Sequence, residues 1–400
     1  MSDVLVIGSG FAGLWAALGA ARRRHELGAP AGDVGITVMS RKPFHDIRVR
    51  NYEADLSACR IPLADLLDPA GVAHVTADVT AIDTDARAVA TSTGSTHRYD
   101  RLVLASGSHV VKPDVPGLRE FGFDVDTYDG AVALGRHLRT LADGPATPAA
   151  ATAVVVGAGL TGIEAACELP GRLRAVSGER IPRVMLIDQN RWVGSDMGMS
   201  ARPVIENALS DNGIETRTGV RVTSVSQHGM SLSSGEWIAA ATVVWCAGMR
   251  ASPLTAQLPA HRDGLGRVAV DDYLRVAGVP GVFAAGDVAA AWLDDENVSV
   301  MSCQHGRPMG RYAGHNVISD LLNAPMLQLR IPWYVTVLDL GPAGAVYTEG
   351  WDRRVVACGA QAKATKRAIN TERIYPPLTG DRAALLAAAA PDLQTRPQVG

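Results

Sequence analysis

Two glycine-rich turns with the spacing G-x-G-x-x-G carry the clearest chemical signal in this sequence. The first follows an apolar run at residues 4–7 and opens an Ala- and Leu-rich stretch at residues 14–22, so it joins a predicted buried strand to a predicted helix. Its first glycine permits a tight bend, its second lets a pyrophosphate approach the backbone, and its third allows close packing of helix and strand. The helix N-terminus then faces the phosphates with its partial positive charge. The predicted dinucleotide contacts are Gly8, Ser9, Gly10, Phe11, Ala12 and Gly13.

The same pattern recurs at residues 153–166, where Gly157, Gly159 and Gly162 follow another apolar strand. Two copies in one chain can hold two dinucleotides, or one dinucleotide in two different uses, and glycines needed only for packing are the alternative. The next strand of this copy ends in Asp188, which would bond both ribose hydroxyls and repel a 2′-phosphate, so NADH is favoured over NADPH. An ordinary turn aspartate is the alternative for Asp188. The other predicted contacts at this turn are Leu160 and Thr161.

The first copy departs from this pattern at the end of its second strand, residues 35–40. A carboxylate usually stands there and holds a ribose hydroxyl, whereas this sequence has Ser40 followed by Arg41 and Lys42. The Ser40 hydroxyl can still bond the ribose, and the two cations are placed to face phosphates. The departure weakens the predicted ribose contact and leaves the predicted site in place.

Three further predicted strands end in small residues, which let a backbone approach a bound cofactor closely. They occupy residues 99–107, 242–248 and 281–287. An alternating segment at residues 72–93 is predicted to be a strand that brings its backbone to an adenine. The candidate cofactor contacts from these segments are Val79, Ala105, Ser106, Gly107, Ala247, Gly248 and Gly286.

Composition sets the class of protein and excludes several functions. With 400 residues, of which 47% are hydrophobic and 5% aromatic, the chain suits an α/β protein of two or three domains. A net charge of −3 gives no footprint for nucleic acid. The five cysteines are scattered without C-x-x-C or metal-ligand spacing, so we expect a reducing compartment and no metal site. We find no signal peptide and no apolar run of membrane-spanning length, which predicts a cytoplasmic protein.

Taken together and in order, these segments resemble those of the two-dinucleotide flavoprotein oxidoreductases, the pyridine-nucleotide-disulfide reductase superfamily. Within it, the chain resembles the type II NADH dehydrogenases, which are single-subunit NADH:quinone oxidoreductases. The resemblance extends from residue 1 to about residue 320. The segments that carry it are residues 8–13, 99–107, 157–164, 242–253, 282–287 and 304–310.

The resemblance implies FAD on the first glycine turn and NADH on the second. It also implies that Asp287 bonds the ribityl chain of FAD and that Glu164 lies beside the nicotinamide and the flavin, where a carboxylate can orient the nicotinamide amide. A surface helix glutamate is the alternative for Glu164. Gln304 and His305 match the family segment near the pyrimidine edge of the flavin, where the quinone approaches. At residues 307–308, Arg-Pro departs from the second glutamine that the family usually carries.

Two other features separate this chain from parts of the superfamily. No cysteine pair follows the first helix, which argues against a disulfide reductase, and Cys167 and Cys303 fit core residues better than a redox pair. Family members usually end in amphipathic helices that dock on the membrane. Here residues 360–369 carry three cations opposite a mostly alanine face, so we expect at most weak peripheral contact with the inner face of the membrane.

The predicted fold is α/β, with two Rossmann-like dinucleotide-binding domains and a small C-terminal β-rich region. The FAD domain is interrupted by the NAD domain. The predicted bounds are 1–115 and 256–325 for the two parts of the FAD-binding domain, 116–255 for the NAD(H)-binding domain and 326–400 for the C-terminal region.

The predicted function is FAD-dependent oxidation of NADH. Hydride passes from NADH to FAD, and electrons then pass to a quinone or quinone-like acceptor, with residues 160–161 and 247–248 lining the nicotinamide side. One alternative is a soluble NAD(P)H-dependent flavin oxidoreductase that acts on another small aromatic compound or on a redox protein. An alternative of another class is an NADH-binding flavoprotein with a signalling role. The sequence is also compatible with a homodimer.

Overall fold

The computed structural model describes residues 2–144, 147–177, 181–392 and 394–399. In this part of the chain, two parallel sheets combine with helices and several small sheets, which confirms the predicted α/β class. The predicted domain bounds stay a prediction. The helices are α1 (Phe11–Glu26), α2 (Ala64–Leu67), α3 (Leu118–Phe121), α4 (Tyr128–Ala142), α5 (Leu160–Ser177), α6 (Gly198–Asp211), α7 (Cys303–Leu321), α8 (Gly359–Ala368) and α9 (Arg382–Ala388).

The first parallel sheet is built around the strand that precedes the first glycine turn. Its residues 4–7 are buried, as expected for a central strand covered on both faces. Its edge strand Val282–Ala284 comes after all the strands of the second sheet in the sequence. The first sheet is therefore completed only after the chain has formed the second. The strands lie in the order Val282–Ala284, Arg101–Leu104, Ser2–Ile7, Val34–Ser40 and Ala73–Thr76, all parallel.

The second parallel sheet repeats this arrangement around the strand that precedes the second glycine turn. That strand is buried along its whole length, and α5 follows it directly after the turn. The repeat seen in the sequence is therefore a repeat of strand, turn and helix in space. The strands lie in the order Gly122–Phe123, Thr242–Trp245, Thr152–Val156, Arg183–Asp188 and Ile214–Thr218, all parallel.

Helices α1 and α7 run side by side in the same direction and bury their contact. A Cβ added at Gly310 or Gly314 of α7 would lie 2.3 Å from Ala12 O or 2.1 Å from Ala16 O, so the two backbones touch. Because Gly306 lies against the start of α1, the N-termini of the two helices meet at the first glycine turn. This pairing sets where the first residues of α7 stand relative to that turn.

The segment at residues 72–93 is not one strand, so that prediction is wrong. It contains Ala73–Thr76 at the edge of the first sheet, then Val79–Asp83 and Ala88–Thr91 in a small antiparallel sheet. The Asp83 carboxylate accepts the backbone N–H groups of residues 85 and 86, which forms the tight turn between the last two strands. That turn chemistry is local and breaks the alternating pattern.

Short antiparallel pairs connect the larger sheets. Ser108–Val110 pairs with Met249–Ala251, so the segments that follow one strand of each parallel sheet join each other. The remaining small sheets are Thr96–Arg98 beside Ala88–Thr91, Phe44–Asp46 with Arg60–Pro62, Val222–Ser226 with Gly229–Leu232 and Trp237–Ala239, and Val268–Ala269 with Ala289–Ala290.

The C-terminal region forms a three-stranded antiparallel sheet of Val335–Asp339, Ala345–Glu349 and Arg354–Cys358. Helix α8 packs on this sheet through the buried Ala362 and Thr365, and a single π-helical turn, Ile369–Arg373, follows it. Among the described residues, no helix combines the length and the hydropathy needed to cross a bilayer.

Candidate active site

The first glycine turn has the shape of a phosphate cradle. Gly8 has a φ of +106°, and a Cβ there would lie 2.4 Å from Ala105 O, so a side chain is excluded by conformation and by space. A Cβ added at Gly10 would meet no atom within 4 Å, which leaves the space beside it open. Helix α1 begins at Phe11 without a side-chain cap and without an acidic residue in its first turn. Its N–H groups are therefore free to bind an anion.

Two buried polar atoms border this turn and lack a partner among the described residues. The His45 Nδ1–H donates to Ser9 O at 2.8 Å, which leaves its buried Nε2 unbonded, and the Ser106 Oγ is also buried and unbonded. Burial lowers the pKa of His45 to about 4, so its imidazole is neutral. Buried polar atoms are nearly always hydrogen-bonded, and a bound nucleotide would supply partners here. The turn thus fits FAD.

Asp287 belongs to a hydrogen-bonded network that sequence reasoning did not find. Its carboxylate accepts the Ser108 hydroxyl at 2.5 Å, and Arg48 Nη1 lies 3.9 Å away. Arg48 also donates to Ser108 O at 3.1 Å and pairs with Asp126. Burial raises the pKa of Asp287, and the Ser108 hydrogen bond and Arg48 oppose that rise. The role of Asp287 at the ribityl chain stays a prediction.

The three polar residues at the end of strand Val34–Ser40 make local contacts. The Ser40 Oγ donates to Lys42 O at 2.8 Å and lies 3.0 Å from His74 Nε2. Lys42 pairs with Asp129 of α4, and Arg41 is 77% exposed. The predicted ribose and phosphate contacts of the three residues stay untested.

The second glycine turn repeats the geometry of the first. Gly157 has a φ of +105°, and a Cβ there would lie 2.9 Å from Ala247 N. A Cβ at Gly162 would lie 1.7 Å from Gly157 O, so α5 starts in direct contact with the turn. This turn therefore also fits a pyrophosphate.

Asp188 has a structural role beside its predicted ribose contact. One carboxylate oxygen accepts Ala158 N–H at 2.5 Å and the other accepts Asn190 N–H at 2.6 Å. The side chain thereby ties the end of strand Arg183–Asp188 to the glycine turn. Asp188 is 9% exposed and lines the cavity described next.

One cavity of about 1290 Å³ runs from the second glycine turn to the C-terminal region. At one end it passes α5, and at the other it passes the start of α7 and the strand Val335–Asp339. The structure thus brings together residues predicted separately from the two halves of the chain. The predicted residues that line it are Gly157, Gly159, Leu160, Thr161, Glu164, Asp188, Ala247, Gly248 and Gln304.

Glu164 is buried at the middle of this cavity and is paired with a residue that sequence reasoning missed. Its carboxylate lies 2.7 Å from Lys366 Nζ of α8 and accepts Asp339 N–H at 3.1 Å. Burial raises the pKa of Glu164, against the effect of Lys366. Burial lowers the pKa of Lys366, but the Glu164 carboxylate more than offsets this and the result is a raised pKa. The pair therefore holds its proton on Nζ.

A second lysine of α8 also points into the protein. Lys363 Nζ pairs with the Asp339 carboxylate at 2.5 Å and donates to Gly341 O at 3.2 Å. The expected basic face of residues 360–369 is therefore wrong for two of its three cations, and Arg367 is the exposed one. These lysines fix α8 to α5 and to the C-terminal sheet.

Gln304 and His305 open α7 and have different surroundings. With its amide oriented to satisfy both atoms, Gln304 exchanges hydrogen bonds with the backbone of Val335 at 2.6 and 3.3 Å. His305 is fully buried, its Nδ1 accepts Val300 N–H at 2.9 Å, and its ring lies 5.5 Å from that of Tyr334. Burial lowers the pKa of His305 to about 4. Both flavin contacts stay predictions, and His305 does not line the cavity.

The five cysteines are free thiols. The Cys167 thiol accepts the Asn212 amide at 3.8 Å, and burial raises its pKa to about 12. Burial also raises the pKa of Cys303. Neither is an activated thiolate. Cys167 is a core residue as expected, whereas Cys303 is half-buried and lines the cavity.

Comparisons with known proteins identify the class of protein that this fold and site define. The family "pyridine nucleotide-disulphide oxidoreductase" matches residues 2–310. An NADH dehydrogenase-like protein of Mycobacterium tuberculosis strain CDC 1551 is 75% identical over 400 residues, which are 99% of this chain and 100% of that protein. The type II NADH:quinone oxidoreductase of Staphylococcus haemolyticus is 27% identical over 318 residues, 72% of this chain and 74% of that protein.

A solved structure shows the same fold. NDH2 of Plasmodium falciparum in complex with NADH superposes with a TM-score of 0.75 at 12% identity and covers 97% of both chains. The chain thus belongs to the pyridine nucleotide-disulphide oxidoreductase family, and within it to the NADH dehydrogenase-like flavoproteins. It is an NAD(P)H oxidoreductase that binds FAD, as the resemblance implied.

Proposed function

We propose that this protein transfers hydride from NADH to FAD and then passes two electrons to a quinone or quinone-like acceptor. The observation that supports this most is the continuity of the cavity. It joins the second glycine turn, Glu164 and the start of α7 without interruption. A donor held at the turn and an acceptor held beside Gln304 would then reach one region from two ends.

FAD would be held by the first glycine turn, by Asp287 and by the unbonded Ser106 Oγ. When bound, it supplies the two-electron chemistry that no side chain of this site offers. The net reaction balances as follows: NADH gives one hydride, and the quinone gains two electrons and two protons, of which one comes from solvent. The protein's part is positioning and exclusion of water.

Glu164 and Lys366 would orient the donor and supply a charge at the meeting point. A buried carboxylate whose Oε1 accepts both Lys366 Nζ and Asp339 N–H is held in one position, so its Oε2 can accept a hydrogen bond from the nicotinamide amide. Lys366 also lines the cavity, and its Nζ holds a proton next to the space for the acceptor.

We further propose that the donor is NADH rather than NADPH. Asp188 lies at the strand end where a ribose would be bound, and its carboxylate disfavours a 2′-phosphate. Its two backbone hydrogen bonds fix the carboxylate and leave lone pairs on both oxygens.

Anaerobic mixing with each nucleotide tests both proposals. NADH should bleach the bound flavin, and adding a quinone should restore the oxidised spectrum. In turnover with the quinone, kcat/KM for NADH should exceed kcat/KM for NADPH. Replacing Asp188 with Asn should lower the ratio of kcat/KM for NADH to kcat/KM for NADPH roughly 10- to 100-fold, because one charged hydrogen bond to a hydroxyl is lost. Arg191→Gln, at the residue that follows Asp188's turn contact Asn190, is a matched control for nearby charge. A flavin that stays oxidised under excess NADH would contradict the proposed function.

A further inference from the structure

The acceptor end of the cavity carries positive charge. We name this end the cationic arm and define it by Arg307 of α7 and Arg373 of the π-helical turn. The walls between these residues are largely apolar. They include Ile331, Trp333, Ile369 and Ile374.

Arg307 lies inside this arm and has no ion pair with a carboxylate in the described parts of the chain. Its Nε is buried without a hydrogen-bond partner, and its guanidinium carbon stands 5.3 Å from the centre of the Trp15 ring. Burial lowers the pKa of Arg307, the Cys303 thiol opposes that change, and the charge of Arg373 adds to it. A guanidinium so placed has donors available and no anion near it.

Arg373 is half-buried and lines the same arm. Its Nη2 donates to the backbone carbonyl of Thr395 at 2.5 Å, and it forms no ion pair among residues 2–144, 147–177, 181–392 and 394–399. Two cations therefore line one largely apolar space.

The carboxylates that line the cavity do not neutralise this arm. Glu164 is already paired with Lys366. Asp188 and Asp196 lie at the other end, beside the second glycine turn, where a Cβ at Gly159 would be 3.5 Å from Asp196 Oδ2. Burying an unpaired charge is unfavourable, so a site of this kind is stabilised by an anion from outside.

We propose that the acceptor is a flat aromatic compound that carries a carboxylate or sulfonate group, with its anion on the Arg307 guanidinium and its ring against the apolar walls of the cationic arm. A planar guanidinium binds such groups with paired hydrogen bonds. The inference rests on the proposed function and sharpens it, since it names charge as the property that selects the acceptor.

Two quinones matched in shape test this. Anthraquinone-2-carboxylate and anthraquinone-2-carboxamide share one ring system and differ in charge, and each takes up two electrons and two protons on reduction. With NADH as donor, the holoenzyme should give a higher kcat/KM for the carboxylate than for the carboxamide. Arg307→Gln should lower that value on the order of 10- to 100-fold, the loss of a charge-assisted hydrogen bond, and the carboxamide value should fall much less.

Two variants serve as controls. Arg307→Lys keeps the charge and should retain most of the preference for the carboxylate. Arg367→Gln removes the same charge from the exposed side of α8, outside the cavity, and should leave the preference intact. Equal loss for both quinones in Arg307→Gln, or equal loss in the two glutamine variants, would overturn the proposal.

Binding without turnover separates this inference from the proposed function. The redox-inert 2-naphthoate should bind the holoenzyme more tightly than 2-naphthamide in calorimetric titration and lose that advantage in Arg307→Gln. If NADH fails to bleach the flavin while 2-naphthoate still binds, the function is wrong and the anion site stands. If NADH bleaches the flavin and the two naphthalenes bind equally, the anion site is wrong and the function stands.

Discussion

Gly8 and Gly10 stand two residues apart and meet different physical requirements. A side chain at Gly8 would overlap Ala105 O and would be strained by the positive φ of that residue, whereas one at Gly10 would project into open space. The motif alone predicts both positions but does not separate a glycine needed for folding from one needed for a ligand. That difference depends on which atoms the rest of the chain places beside each Cα.

We predict opposite outcomes for alanine at these positions. Gly8→Ala should lower the free energy of unfolding of the apoprotein by about 1–3 kcal/mol or more, because strain and overlap add. Gly10→Ala should leave apoprotein stability nearly unchanged and weaken FAD binding roughly 10- to 100-fold. Urea unfolding of flavin-free protein and the flavin-to-protein absorbance ratio measure the two effects. If Gly10→Ala kept its full flavin content, the pyrophosphate would not lie at this turn.

Helix α8 shows what the sequence did not predict at the scale of an element. The helix itself could be located from residues 360–369, but its orientation could not. An alanine-rich face with scattered lysines is typical of a solvated helix. Lys366 and Lys363 point inward because they pair with the buried Glu164 and the partly buried Asp339, which come from distant segments. The network of Arg48, Ser108 and Asp287 was missed for the same reason. Strands and glycine turns were predicted because their signals are local.

The ion pair between Glu164 of α5 and Lys366 of α8 leads to a prediction about stability. Glu164→Gln leaves the Lys366 amine buried without its counterion, so the free energy of unfolding should fall by about 3–5 kcal/mol. The double variant Glu164→Gln with Lys366→Met should recover part of that loss. Arg367→Gln, on the exposed side of the same helix, is the control and should leave the free energy of unfolding nearly unchanged. Denaturant unfolding and hydrogen exchange of α8 provide the measurements. Additive losses in the double variant would show that the pair is not coupled.

At the scale of the whole molecule, buried neutral histidines lower the stability of the fold at acidic pH. His45 and His305 each have a pKa lowered to about 4 by burial, while an unfolded histidine titrates near 6.5. Between those values the unfolded chain binds more protons than the folded chain, so stability is complete above pH ~6.5 and is lost as pH falls toward ~4. Among the described residues, none accepts a hydrogen bond from the buried His305 Nε2.

His305→Asn should reduce this acid sensitivity. The asparagine oxygen can still accept Val300 N–H, and the loss of stability between pH ~6.5 and ~4 should shrink by up to about 3 kcal/mol, which is 2.5 pKa units at 1.36 kcal/mol each. Unfolding free energies measured by urea at several pH values would give the two curves. Parallel curves for the wild type and the variant would mean that His305 does not titrate in this window.

The edge strand Val282–Ala284 imposes an order on biosynthesis. Its partner Arg101–Leu104 leaves the ribosome about 180 residues earlier, so at roughly 5–20 residues per second that partner stays unpaired on one side for about 10–40 s. An open strand edge invites pairing with other chains. The first parallel sheet therefore starts to form before the second but is completed after it. Until then, the nascent chain must protect the open edge of this sheet.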